Sequence, residues 1–167
     1  MTDLIPPYGG TLKDLRLDAE SARAAKDAAV DYPSWDLTER QLCDLELLAN
    51  GGFSPLEGFM GQADYERVVT DMRLADGTLW PMPVTLDVSE AFAEGIAAGD
   101  RVALRDPEGV ILAILTVSDT WRPDREVEAE QVFGTTDPGH PAVAWLREQS
   151  HPVYVGGRIE ALDLPVH

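Results

Sequence analysis

The sequence holds one cysteine, Cys43, among 167 residues, so it can form no internal disulfide and can offer a metal no more than one thiolate. It also holds few cations. Lysine occurs only at Lys13 and Lys26, and 13 Lys+Arg face 30 Asp+Glu, a net charge of −17. Affinity for nucleic acid comes mainly from Lys and Arg neutralising phosphates, so neither nucleic acid nor an anionic membrane is expected as a partner. No apolar run approaches the roughly 20 residues of a spanning helix, and MTDLIPPYGG lacks the basic and apolar regions of a secretory signal; the expected location is the cytoplasm. Phosphate loops, GxGxxG, HExxH, CxxC and GxSxG are all missing, so no local signature announces an enzyme. What is present is an ordinary globular balance of 44% hydrophobic and 26% charged residues, enough for one domain preceded by a short arm, residues 1–10.

Residues 11–30 are Ala-rich and read as a helix. Thr38-Glu39-Arg40-Gln41 is a capping box, with Leu37 and Leu42 placed as a hydrophobic staple; Leu42, Leu45, Leu48 and Ala49 continue the apolar stripe, and Asn50-Gly51-Gly52 ends it. Ser54-Pro55-Leu56-Glu57 repeats the capping pattern and predicts a short helical turn. Tyr65, Val68, Val69 and Met72 give a third amphipathic helix. The period then changes to two. After a turn at Asp76-Gly77, residues 80–88 alternate as an edge strand carrying Pro81 and Pro83; residues 101–105 and 110–117 form a hairpin around 106–109. Helices over 126–133 and 142–149 follow, then a strand over 153–162 interrupted by Gly156-Gly157. Helices early and strands later, without βαβ alternation, predict an α+β domain built on a small mixed barrel or curled sheet.

His140, His151 and His167 are too far apart for a local metal motif and read as structural or surface residues. Gly156-Gly157-Arg158 could form an anion-binding turn, but a bulge in an apolar strand is the favoured reading. In NGGFSPLEGFM, residues 50–60, Phe53 and Phe59 serve as aromatic anchors around the Ser54 cap; a phosphate on the helix amides is conceivable, but Ser54 and Glu57 would already occupy them. Trp35, Trp80, Trp121 and Trp145 read as core or interface anchors.

LTERQLCDLELLANGGFSPLEGFM, VVTDMRLADGTLWPMPVTLDVSEAF, VEAEQVFGTTDPGHPAV and YVGGRIEALDLP, in that order, resemble the N-terminal domain of the sulfate adenylyltransferases, or ATP sulfurylases, from PPYGG at Pro6 to the C-terminus. The resemblance implies a PUA-like fold, a small mixed β pseudo-barrel with flanking helices. It implies a parent enzyme that joins sulfate to the α-phosphorus of Mg-ATP, forming adenosine 5′-phosphosulfate and pyrophosphate. In that family the chemistry belongs to a following domain with Gln-Thr-Arg-Asn and His-x-x-His motifs, which this chain lacks. No catalytic, cofactor-binding or metal residue therefore transfers to it, and alone it is expected to be inactive. The implied partners are the catalytic adenylyltransferase domain, a fused adenylylsulfate kinase as occurs in the family, and further copies in a homo-oligomer. Phe53, Ser54, Pro55, Phe59, Trp80, Arg158 and the 153–162 strand are the candidate core or interdomain docking elements. Two alternatives are a stand-alone interaction module binding a protein partner and, since PUA-like domains include RNA binders, an RNA-binding module that the charge disfavours.

Overall fold

The computed structural model describes residues 4–165, which form two compact units. Residues up to Gly58, Gly99–Thr116 and those from Arg158 onward make the first; Phe59–Ala98 and Val117–Gly157 make the second. Strands pair both parallel and antiparallel and helices flank them, the α+β architecture the pattern predicts. Helices and strands interleave from the start, however, so the expected early-helix, late-strand order does not hold.

In the first unit the expected helix over 11–30 is confined to α1, Ala19–Ala28, with a 3-10 turn at Ala29–Asp31. Asp18 is the reason. Its carboxylate accepts from the Glu20 and Ser21 amides and starts the helix there. Before it the chain runs extended: the Leu15 amide donates to the Ala49 carbonyl at 3.0 Å and the Leu17 amide to the Ala161 carbonyl at 2.9 Å, bonds a helix would forbid. A short strand that the periodicity does not reveal, β1 (Ser34–Asp36), lies parallel to β4 (Arg101–Arg105) and places Trp35 opposite Leu104. β4 pairs antiparallel with the first half of β5 (Ile111–Trp121) across the expected turn at Gly109, and Ala29, Ala103 and Ile114 bury together beneath α1.

α2 (Glu39–Ala49) carries the capping box as expected. Gln41 is fully buried, and its Oε1 accepts both from the Thr38 amide and from the Trp35 indole, each at 3.1 Å, while its own amide donates to the Thr38 hydroxyl at 3.3 Å. One side chain thus caps the helix and holds β1 beside it. Thr38→Ala should lower stability by about 1 kcal/mol, read as a shift in urea midpoint. An unchanged midpoint would mean the box contributes nothing.

In the second unit α3 (Gln62–Asp71) buries Tyr65, Val68 and Val69, whereas Met72 leaves the apolar face, taking a left-handed conformation at the helix end with its side chain exposed. Gly61 precedes α3 and has no side chain to cap it; Asp119 supplies the cap, accepting from the Gln62 amide at 2.9 Å. The Asp76-Gly77 turn forms. The alternating strand over 80–88 shortens to β3 (Leu86–Val88), since Pro81 and Pro83 offer no amides, and residues 83–88 are buried without alternation. β3 pairs antiparallel with the start of β6 (Val153–Ala161). α4 (Glu90–Glu94) follows the Ser89 cap. The helix expected over 126–133 divides into α5 (Arg125–Glu128), capped by Asp124, and a π-helical turn at Ala129–Phe133. α6 (Pro141–Glu148) begins with Pro141 in the first turn as expected, and its Val143 and Leu146 pack on Ala129.

Gly156-Gly157 does not interrupt β6, correcting that expectation. An ideal Cβ on Gly156 would lie 2.5 Å from the Gly61 Cα, 2.6 Å from Asp119 Oδ1 and 2.8 Å from the Met60 carbonyl. The glycine is there so that two backbones can touch, not to turn the chain.

Candidate functional site

Two places collect polar or apolar groups in a way the core alone does not need. In the second unit, Tyr65 on α3, Glu128 at the end of α5 and Tyr154 on β6 converge. Both hydroxyls donate to Glu128 Oε2, at 2.7 Å from Tyr65 and 3.0 Å from Tyr154, and all three side chains are buried. A carboxylate oxygen accepting two donors is matched to an ionised acid. Trp121 closes the group, its ring centroid 5.5 Å from Tyr65 and 5.8 Å from Tyr154, while the two tyrosines meet edge to face. Burial, and next the negative charge of Glu128, push both phenols well above the usual tyrosine range. They are permanent donors at neutral pH. Chemically this is a closed, satisfied polar centre that joins α3, α5 and β6. It has no local signature: Glu128 is one of three alternate glutamates at 126, 128 and 130, and its partners lie 63 and 26 residues away.

In the first unit the Ser54-Pro55 stretch is a turn with a cis peptide bond and starts no helix. Rather than capping, the Ser54 hydroxyl accepts from the Lys13 amide at 2.9 Å and donates to the Gly51 carbonyl at 2.7 Å, stapling the arm to the end of α2. Phe53 and Pro55 are half-buried beside it. Arg158 is exposed and lies 3.4 Å from Glu57, which also faces Lys13 at 3.9 Å. Phe59 is a buried core residue of the second unit and Trp80 is half-buried there. The six named residues thus divide, with Phe53, Ser54, Pro55 and Arg158 in one unit and Phe59 and Trp80 in the other. No anion-binding turn forms at Gly156-Gly157-Arg158, where the strand continues.

The arm itself was missed as a surface. Leu4 is 93% and Ile5 92% exposed, and with Pro6, Pro7, Tyr8 and Leu12 they border a groove whose floor is Gly51, Gly52 and Ser54. The available signal was LIPPY, two large apolar residues held extended by two prolines.

His140 caps α6 by position and stacks on Phe133, and the His151 amide donates to the buried Asp87 at 2.8 Å, structural places that agree with the expectation; His167 lies outside the described residues. Among the described residues no three His, Cys, Asp or Glu converge as a metal site. Arginines that could clamp phosphate are largely turned to carboxylates, as in Arg101–Glu160, Arg105–Asp36, Arg122–Glu90 and Arg147–Glu126.

Residues 5–164 match the family model of the PUA-like domain. The chain belongs to the PUA-like domain family. This PUA-like domain is 48% identical over 165 residues to a sulfate adenylyltransferase of Eremothecium gossypii, 50% over 164 to that of Saccharomyces cerevisiae and 53% over 161 to that of Emericella nidulans. The matches take in 98%, 96% and 94% of this chain but 33%, 32% and 28% of those proteins, so the chain spans at most a third of the relatives it matches. Among solved structures a hexameric APS kinase from Thiobacillus denitrificans superposes with a TM-score of 0.76 at 38% identity, over 98% of this chain and 28% of that one. No helix among the described residues is long and apolar enough to cross a membrane.

Proposed function

We propose that this PUA-like domain is the non-catalytic N-terminal domain of a sulfate adenylyltransferase, the enzyme that makes adenosine 5′-phosphosulfate and pyrophosphate from ATP and sulfate. The observation that carries the reading is identity near 50% along the whole domain to proteins of that name, of which it represents at most a third. The larger share is left for the chemistry. Transfer to sulfate at phosphorus needs cations and amides aimed at developing charge, and the pairing of arginines with carboxylates here supports placing that chemistry elsewhere. Mg-ATP would bind in the remaining part of the parent, which this domain packs against and supports in a cytoplasmic, homo-oligomeric assembly. A hexameric neighbour of matching fold favours assembly.

The test is pyrophosphate release with ATP, Mg²⁺ and sulfate, run on the 167 residues and on the same chain joined to the following open reading frame. Activity is expected only in the longer protein. Release by the short chain would overturn the division of labour, and silence in both would favour a stand-alone interaction module.

A further inference from the structure

Four large apolar side chains of the arm and the residues just after it face solvent: Leu4 and Ile5 almost wholly, Tyr8 and Leu12 by half. Leu47 on α2, 39% exposed, borders the same floor, since a Cβ on Gly52 would lie 2.9 Å from its Cδ2. The patch is held in place from beneath. A Cβ on Gly51 would stand 2.7 Å from the Leu12 Cδ1 and one on Gly9 3.0 Å from the Pro55 Cβ, so both glycines let the arm lie directly on the turn. The Ser54 hydroxyl fixes Lys13, and the Gly10 amide closes a turn on the Pro7 carbonyl at 2.9 Å. Exposed apolar side chains gathered along one groove mark an interaction surface rather than scattered exposure.

We propose that the face formed by Leu4, Ile5, Tyr8, Leu12 and Leu47 is the seat for an apolar segment of the parent chain's own catalytic portion; the inference rests on the reading above. Connection decides between occupants. A contact between separate molecules needs about 800 Å² from each partner to be stable, a demand that a tethered segment escapes. A segment on the same polypeptide meets it at an effective concentration of about a millimolar, and a small patch then suffices. The relatives are roughly three times as long as the match, which leaves ample chain to supply that segment. Leu4 and Ile5 are 93% and 92% exposed, so changing them should leave this domain's own folding intact.

The test is amide hydrogen exchange at Ile5, Tyr8, Gly9, Thr11 and Leu12 in the full-length parent and in the 167-residue chain, with Leu4→Ser/Ile5→Ser made in both. Exchange is expected to be roughly tenfold slower or more in the parent, independent of protein concentration, and to return to the short-chain rate in the double variant. Equal rates in parent and short chain would overturn the proposal. So would protection that rises with concentration, which would assign the face to a second copy. Pyrophosphate release by the same parent preparation separates the two readings: an active parent with an unprotected arm sinks the docking alone, and an inactive parent sinks the assignment of function whatever the arm does.

Discussion

Gly156→Ala is expected to lower the stability of this domain by about 3 kcal/mol or more, because the added methyl cannot be absorbed by side-chain movement. Two of its three nearest atoms, the Gly61 Cα and the Met60 carbonyl oxygen, are backbone, and the third, Asp119 Oδ1, belongs to the carboxylate that caps α3. Relieving the clash means either separating two stretches of main chain or releasing the cap. The melting temperature should fall by roughly 6 to 12 °C. Gly95→Ala is the control: Gly95 has φ −89°, and its Cβ would meet only a carbonyl oxygen at 3.5 Å, so its melting temperature should stay near the wild-type value. A Gly156→Ala protein that melts with the control would show that the two backbones do not need their contact.

The second large effect belongs to Glu128. Glu128→Ala removes the acceptor of two buried hydroxyls and leaves a gap between α3, α5 and β6, which should cost roughly 3 to 5 kcal/mol. Tyr65→Phe and Tyr154→Phe each delete one donor and keep the ring, and should cost about 1 kcal/mol apiece. Since both bonds share one oxygen, the double variant should depart from the sum of the singles. The same centre sets an alkaline limit. Both phenols titrate higher in the folded protein than in the unfolded chain, where tyrosine ionises near about 10; their contribution is fully present below that pH and is lost as pH rises toward the folded values. Above about pH 10 the two together should reduce stability by up to roughly 2.7 kcal/mol per pH unit. The Tyr65→Phe/Tyr154→Phe protein should lose that slope. Urea midpoints between pH 8 and 11 measure it, and equal slopes in both proteins would mean the phenols are not held in the neutral form.

Features specified within a few residues were legible in the sequence. The capping box at Thr38 to Gln41, the turn at Gly109 and the proline entry to α6 each satisfy their own amides locally, so their patterns survive in the structure. Features specified by distant partners were not. Residues 12–17 read as helix by composition, yet their amides bond Ala49, Ser54 and Ala161; Ser54 has the residue pattern of a cap, yet its hydroxyl serves the arm. Gly156 looks like a break from its neighbours alone, and its reason is Gly61. The Glu128 centre, assembled from three elements, has no local signature. Of the core or docking residues named from the sequence, Phe59 belongs to a core, while the arm that does face solvent was hidden by its shortness.

The division of the chain has a consequence for its birth on the ribosome. The first unit is assembled from three separate stretches and the last of them begins at Arg158, so nothing synthesised earlier can complete it. Its β1, α2 and β4 are all made before the second unit is complete, and that unit is closed only when the part of β6 up to Gly157 emerges. Both units therefore become foldable within a few residues of each other. At about 5 to 20 residues per second, the nascent chain spends several seconds with both units incomplete, and it then completes them almost together.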